Sequence, residues 1–262
     1  MKIQIPDNFM GKPIKGSIEK VLAGAPDDGK VNIPQGVQSV PSPASVNNAN
    51  EYLILQGRTH GNYSYPDTLV SMEMVHQGKN WNDAYVSLIK EGAQMLTIRQ
   101  FADFLNLLRS GSAYDGNGQQ VDQKKLNSIL DEIYTIRSPR RAEWLDAKFV
   151  VRNKTLGVFS GKTQINYDHR LVNGQLVAQR SEELEECLMD NKQIDISDWL
   201  SNANYQGLPS KNVSNGSLYY YAPVNGKVVR FDAVSDGANL YCGRYPAGAN
   251  SSLGVRVTRV KI

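Results

Sequence analysis

The C-terminal stretch Val228–Ile262 reads VVRFDAVSDGANLYCGRYPAGANSSLGVRVTRVKI. Its first 33 residues, up to Val260, contain no Lys, Glu, Gln, Met or Trp, although these five types supply 50 of the 262 residues in the chain. Independent draws at that composition would leave such a gap roughly once in a thousand trials. Tyr, Asn, Asp, Gly, Ala, Ser and Val fill the stretch instead, between the strand-like ends VVRF and LGVRV. Composition alone favours a polar surface loop that joins two terminal strands.

Length and composition are those of an ordinary soluble globular protein. A chain of 262 residues can bury a substantial core, as one large domain or as one domain with an extension. The net charge of +3 is small and the basic residues are spread along the sequence, so nothing indicates a nucleic-acid partner. No apolar run reaches the roughly 18 to 20 residues of a membrane span, and the N-terminus lacks the apolar segment of a secretory signal.

Residue types that often form metal or redox sites are sparse. Two cysteines, Cys187 and Cys242, are too few for a disulfide framework or a zinc site, and we expect two buried thiols. His60, His76 and His169 lack HxxxH or HxH spacing and are expected in turns or on the surface. No metal or cofactor is therefore predicted.

Two further clusters suggest chemistry only weakly. The neighbouring Asp168 and His169 invite a catalytic interpretation, but a nucleophile motif such as GxSxG is absent. The acidic run Glu182–Glu186 is typical of a solvated helix face. No clustered acidic motif indicates a calcium site. Since none of these clusters forms a catalytic motif, we expect that the protein is not an enzyme.

The pattern of Pro, Gly and apolar residues divides the chain into two parts. Residues 1–50 carry short β-like pieces and a linker-like run of Pro, Ser and Asn from Pro34 to Asn50. This composition predicts an N-terminal arm that is either flexible or strand-swapped. Alternatively, the arm serves oligomerisation or attachment. Residues 51–262 form the predicted globular domain.

Within that domain, helical patterns come early and strand patterns late, which predicts an α+β fold. The segment after Thr97 has a capping box with Gln100 and a glycine stop at Gly111. Asn173-Gly174 and Asn225-Gly226 each predict a tight hairpin between antiparallel strands. The predicted helices are Asn80–Glu91, the segment from Thr97 to Gly111, and Val121–Arg137.

The order of these pieces resembles C-type lectin folds of the formylglycine-generating-enzyme type. The similarity lies in the helix WNDAYVSLIKEG, the capped helix MLTIRQFADFL, the WLDA-containing strands and a final strand LGVRVTR. In that group a GFR-like or GVR-like strand closes the domain, and Gly254-Val255-Arg256 matches it here. Cys187 and Cys242 do not match the paired active-site cysteines, so the enzymatic activity is not carried over.

The tail itself resembles the variable region of proteins diversified by a retroelement, and most closely those of archaea and archaeal viruses. Such diversification changes adenines, chiefly in Asn codons, and can never produce Lys, Glu, Gln, Met or Trp, the five types missing from the tail. The resemblance implies a receptor-like protein with a diversified C-terminal binding surface. The positions it marks as variable are Asp232, Val234, Asp236, Gly237, Asn239, Tyr241, Gly243, Tyr245, Ala247, Gly248 and Asn250.

The chemistry of these positions is that of a binding surface. Tyr offers rigid, amphipathic contact area, and Ser, Gly and Asn offer adaptable polar contacts. An extended segment would place positions 239, 241, 243 and 245 on one exposed face, with Tyr241 and Tyr245 as the main contact residues. The three tyrosines Tyr219–Tyr221, on the strand before, either line the same face or pack in the core, and packing is favoured. The predicted scaffold residues are Phe231, Leu240, Cys242, Pro246 and Leu253.

The predicted partner is an unidentified macromolecule, foremost a protein, and the predicted location is the cytoplasm or a viral particle. Two alternatives stay open. The tail could be a fixed part of a virion or cell-surface assembly, in which case residues 1–50 would drive stable oligomerisation. An enzyme related to the formylglycine-generating enzymes would instead need a redox-active cysteine in a concave pocket.

Overall fold

In the computed structural model, the described residues are 8–9, 12–13, 48–136, 141–151, 162–235 and 237–261. The chain divides into two compact units, Met1–Val40 and Pro41–Ile262. The predicted arm, residues 1–50, lies almost wholly outside the described residues. In the first unit, strands β1 (Asn8–Phe9) and β2 (Lys12–Pro13) pair antiparallel. The following paragraphs concern the second unit.

Four α-helices lie within the described residues of the second unit, together with a 3₁₀ turn at Ala49–Glu51. None of them is long and apolar enough to cross a membrane. The helices are α1 (Trp81–Lys90), α2 (Ile98–Ser110), α3 (Gln123–Tyr134) and α4 (Ile196–Asn202). The strands are β3 (Tyr52–Leu55), β4 (Arg58–His60), β5 (Tyr63–Tyr65), β6 (Thr68–Val75), β7 (Gln94–Met95), β8 (Ala113–Tyr114), β9 (Gln120–Val121), β10 (Ala142–Val150), β11 (Gln164–Val172), β12 (Gln175–Glu183), β13 (Lys192–Ile194), β14 (Leu218–Tyr221), β15 (Val228–Val234), β16 (Gly237–Arg244) and β17 (Leu253–Val260).

The helix predictions are confirmed, because their signals are local. Thr97 caps α2, its side chain and that of Gln100 form the expected reciprocal capping box, and Gly111 ends the helix with φ 71°. Asn80 caps α1 and Asp122 caps α3 in the same way, each accepting a hydrogen bond from the backbone three residues on. The general α+β organisation is therefore confirmed, with α4 as a further helix.

The main sheet has eleven strands in the described part of the chain, with the order β13-β14-β16-β15-β10-β17-β6-β3. The hairpin β11–β12 branches from β10, and β7 pairs with β17. The expectation of a purely antiparallel sheet is wrong, since β17 runs parallel to β10 and β14 runs parallel to β16. The last strand thus lies inside the sheet, between β10 and β6.

Two local predictions of the strand region are also corrected. Asn173-Gly174 makes the predicted hairpin, with φ 50° and 78° at its two residues. Asn225-Gly226 makes a turn but no hairpin, because β14 pairs with β16 rather than with β15. The acidic run Glu182–Glu186 forms no helix: it is the end of β12 and the coil after it.

The sheet buries a hydrophobic core on each face. Helices α2, α3 and α4 pack on one face, where Phe101, Leu126 and Trp199 contact the core side of β10, β15 and β16. The other face packs on α1 through Trp81 and Tyr85, opposite β10 and β17. Further along this second face, on β15, β16 and β14, aromatic and polar side chains take over, and there the candidate site lies.

Candidate binding surface

Cross-strand pairing places the candidate residues in two rows on the face that α1 packs against. Directly opposite residues of neighbouring strands share a face of the sheet. The first row runs from Trp144 of β10 through Arg230 and Tyr241 to Tyr221. The second row runs from Ala142 through Asp232 and Asn239 to Tyr219. Residues from four strands therefore share this face of the sheet. Only the three tyrosines of the two rows are half-buried, and the other five residues are buried.

The opposite face of the same strands holds the predicted scaffold. Phe231, Leu240 and Cys242 are buried there in the core against α2, α3 and α4. Leu253, at the start of β17, is buried instead on the face that packs against α1. The predicted alternation along β16 is thus confirmed for Leu240 and Cys242. Pro246 is only half-buried, but its carbonyl accepts a hydrogen bond from Trp81 N at 3.0 Å, which fixes the chain after β16 to the start of α1.

Tyr241 lies at the centre of the first row and is held on both sides. Its ring centroid is 4.5 Å from that of Tyr221, and the Arg230 guanidinium lies 5.4 Å from its ring. Arg230 in turn forms an ion pair of 3.0 Å with Asp232. Stacking and cation–π contacts of this kind orient an aromatic side chain while leaving part of it in contact with solvent.

Tyr245 lies beyond the end of β16 and is the most exposed large hydrophobic side chain among the described residues, at 65%. The Lys227 ammonium group lies 2.9 Å from its ring centroid. After it, Gly248 N donates to Tyr245 O, and Asn250 accepts hydrogen bonds from Ser252 N and Leu253 N. The loop therefore has defined turns although its side chains face solvent. We define the tyrosine face as Tyr219, Tyr221, Tyr241 and Tyr245.

The structure separates the predicted variable positions into three groups. Tyr245 and Ala247 are exposed, and Val234, Tyr241, Gly243, Gly248 and Asn250 are half-buried. Asp232 and Asn239 are buried, so the expectation that they are exposed is wrong. Both lie between two paired strands, and Arg230 and Tyr219 lie beside them. Gly237 has φ 125°, a conformation that a side chain would strain. Asp236 lies outside the described residues.

Other residues of this surface were not predicted from the sequence. Tyr220 packs as expected, with its hydroxyl donating to Leu188 O at 2.9 Å, but Tyr219 and Tyr221 point to the other side of β14. Arg230 and Lys227, which hold two of the tyrosines, were also missed. The period of two along β14 could have indicated that the outer tyrosines share a face with β16, but only the parallel pairing makes them neighbours.

A buried polar network lies beneath the other end of this face. Asp146 accepts hydrogen bonds from Tyr85 Oη and Asp168 N, and its second oxygen lies 2.7 Å from His169 Nδ1. The expectation of a surface His169 is wrong, since its side chain is buried between Trp81 and Tyr85. His76 lies in a turn with φ 56°, and His60 bonds to Asp103.

The two cysteines are buried thiols, as expected. Burial raises the pKa of Cys187 to about 12 and raises the pKa of Cys242 well above its ordinary value. A reactive cysteine needs the opposite shift. Among the described residues, no group of three or more His, Cys, Asp or Glu is placed to hold a metal ion.

No family model, no curated protein and no solved structure matches the chain. Its function must therefore be inferred from the residues and geometry of the surface.

Proposed function

We propose that this chain is a binding protein that presents the tyrosine face and the loop at residues 245–250 to a macromolecular partner, foremost a protein. The observation that carries the proposal is the division of the C-terminal strands. On one side of β16, Leu240 and Cys242 are buried scaffold. On the other side, Tyr241 is half-buried and Tyr245, beyond the end of the strand, is exposed, and a cation lies against each of these two rings. A rigid framework with exchangeable residues on one face can change its partner without refolding.

The composition of the surface supports a protein partner. Tyrosine supplies a large contact area at low cost in conformational entropy, and aromatic residues together with Arg carry much of the binding energy at protein interfaces. Lys227 and Arg244 are half-buried beside the tyrosine face, whereas Arg230 is buried and paired with Asp232. We therefore expect a partner surface with acidic groups and an association rate that falls with added salt.

We further propose a C-type-lectin-like fold and diversification of the tail by a retroelement. Two features support this. The sheet keeps the matching strand Gly254-Val255-Arg256 inside it, and five of the eleven positions expected to vary have side chains that reach solvent, namely Val234, Tyr241, Tyr245, Ala247 and Asn250. The buried thiols weigh against the redox chemistry of the related enzymes, because a thiol with a raised pKa is a poor nucleophile at neutral pH.

A library experiment tests whether the surface is separable from the fold. One library would randomise Val234, Tyr241, Tyr245, Ala247 and Asn250, and a control library would randomise Phe231, Leu240, Cys242 and Leu253. We expect most members of the first library to resist protease, and few of the second, because each loss of a large buried side chain costs about 2–5 kcal/mol. Equal loss of folded members in both libraries would contradict the proposal.

Sequencing the 3′ end of the gene from its source population tests the diversification itself. We expect substitutions to concentrate at adenines in the codons of the exposed tail positions. A tail as constant as α2 would instead support the alternative of a fixed structural or attachment component. Alanine at Tyr241 and Tyr245 should weaken binding to any partner captured by the wild-type protein, and unchanged binding would remove these residues from the site.

A further inference from the structure

A second concave site lies away from the tyrosine face, between the hairpins β4–β5 and β11–β12 and the end of β17. It is a cleft of about 190 Å³. The charged side chains that line it are Asp168, Arg170, Arg180 and Arg259. Three arginines and one aspartate thus line the cleft. Gln94, Gln100 and Gln179 add amide groups to the lining.

Arg180 forms a rigid wall of this cleft. Its guanidinium lies 5.0 Å from the Tyr63 ring and 4.9 Å from the Tyr167 ring, so it packs against both of these neighbouring rings. It donates to Glu182 at 2.8 Å, and Nε lies 3.8 Å from Asp168. These carboxylates balance its charge, so Arg180 shapes the cleft more than it adds net charge to it.

Arg259 and Arg170 are the cations whose charge is not balanced. Arg259 donates through Nη1 to the carbonyl oxygens of Glu91 and Gly92, at 2.6 and 3.1 Å, which fixes the side chain without a carboxylate. Arg170 is exposed at the mouth of the cleft. Within the described part of the chain, no carboxylate lies within ion-pair distance of either guanidinium. Both can therefore accept an anionic group.

Asp168 lies in the cleft in a left-handed conformation, with φ 55°, which is uncommon for residues other than glycine. Its backbone N–H donates to Asp146 at 2.6 Å, an interaction that holds this conformation. Burial and the neighbouring Asp146 raise the pKa of Asp168 to about 6. Strained residues of this kind cluster at ligand sites.

We propose that this cleft binds a small anionic ligand, which presents a carboxylate or a phosphate group to Arg170 and Arg259. Guanidinium groups bind both oxyanions through paired, charge-assisted hydrogen bonds. A volume of about 190 Å³ is below the usual range for drug-sized ligands. The ligand is therefore a small metabolite or the anionic part of a larger one.

Calorimetric titration of the full chain with succinate and, separately, with inorganic phosphate tests the proposal. Binding of succinate alone identifies a carboxylate ligand, and binding of phosphate alone identifies a phosphate ligand. The variant Arg170→Gln should weaken binding about tenfold, since a hydrogen bond to a charged group is lost. The exposed Arg109 is remote from the lining, so Arg109→Gln is the matched control and should bind like the wild type.

Arg170 is exposed, so its replacement should leave the thermal unfolding temperature unchanged. A change in affinity can then be attributed to the lost guanidinium group rather than to unfolding. Absence of binding by the wild type up to about 10 mM of either anion would overturn the proposal. Equal affinity of the wild type and Arg170→Gln would overturn it as well, because the anion would then bind elsewhere.

The pH dependence gives a second readout. The charged and titratable groups around Asp168 come from five elements: Tyr63 on β5, Tyr85 on α1, Asp146 on β10, His169 and Arg170 on β11, and Arg180 on β12. Protonation of Asp168 below pH about 6 removes a negative charge from the cleft, so anion binding should tighten as the pH falls. Asp168→Asn keeps a residue that tolerates positive φ and should bind more tightly at pH about 8. The ligand has the same protonation state with both proteins at this pH, so its own titration does not affect the comparison. Weaker binding by Asp168→Asn than by the wild type would contradict the role assigned to Asp168.

Discussion

At the scale of single residues, Arg256 fixes the central strand to the core. It is buried, and its Nε lies 2.9 and 3.1 Å from the two carboxylate oxygens of Glu143. Its Nη1 donates to the carbonyl oxygens of Ser71 and Met72 on β6. One side chain of β17 thus bonds to groups on both neighbouring strands. Burial raises the pKa of Glu143, so that carboxylate depends on Arg256 for its charge.

Replacing Arg256 by Met should destabilise the protein by about 3–5 kcal/mol, since it leaves a buried carboxylate without its partner. Denaturant unfolding monitored by circular dichroism measures this loss. The double variant Arg256→Met with Glu143→Leu removes both partners and should recover much of the stability. If the double variant is no more stable than the single one, the ion pair is not the source of the loss.

The raised pKa of Asp168 makes the stability of the protein depend on pH. The pKa of Asp168 in the folded protein is about 6, above the ordinary value of 3.8. The contribution of Asp168 to the free energy of unfolding is therefore fully present below pH 3.8 and is lost as the pH rises through 6. Asp168→Asn should therefore be more stable than the wild type at pH 8, by about 1–2 kcal/mol after allowance for solvent screening. Urea unfolding at several pH values should show the difference disappearing near pH about 4. A difference that is constant with pH would contradict this.

At the scale of elements, helix α2 is defined by its own ends, and its N-cap residue also bonds to a residue of another element. Thr97 closes the capping box with Gln100, and its Oγ1 also lies 2.6 Å from Tyr63 Oη. The hydroxyl therefore joins the start of the helix to β5. This is why the helix could be predicted in sequence but its attachment to β5 could not.

Thr97→Ala should cost about 1–2 kcal/mol, because the cap is lost and Tyr63 loses a buried hydrogen-bond partner. Thr97→Ser keeps the hydroxyl and should cost less than about 0.5 kcal/mol. Thermal unfolding of the two variants measures the difference. Equal destabilisation by Ser and Ala would show that the methyl group, rather than the hydroxyl, is what matters.

At the scale of the whole molecule, β17 joins the two halves of the main sheet. It pairs with β6 along one edge, and with β10 and then β7 along the other. The tail therefore combines a structural strand with the loop at residues 245–250, whose side chains face solvent. Binding residues and the strand that completes the fold are only a few residues apart in sequence.

Deleting residues 253–262 should abolish folding, because the pairing edges of β10 and β6 and the apolar side chains beneath β17 would be exposed. The matched control replaces Tyr245 and Ala247 by Ser and should unfold within about 0.5 kcal/mol of the wild type. Circular dichroism and protease resistance of both proteins measure this. A folded truncation product would contradict the central role of β17.

The sequence predicted the features that depend on neighbouring residues. The cap of α2, the glycine that ends α2, the Asn173-Gly174 hairpin and the buried side of β16 all follow from local backbone geometry or from a period of two. The missing residue types in the tail and the alternation of its apolar residues also pointed to one exposed face. These signals are contained within short segments of the chain.

The tertiary structure decided which segments meet. Parallel pairing of β14 with β16 brings Tyr221 to Tyr241, and this pairing also removes the hairpin expected at Asn225-Gly226. The same sheet buries Asp232 and Asn239 and leaves Tyr245 exposed, although all three belong to one polar stretch. Local sequence sets which side of a strand a residue occupies, whereas burial depends on the strands and helices that pack there, and these come from distant parts of the chain.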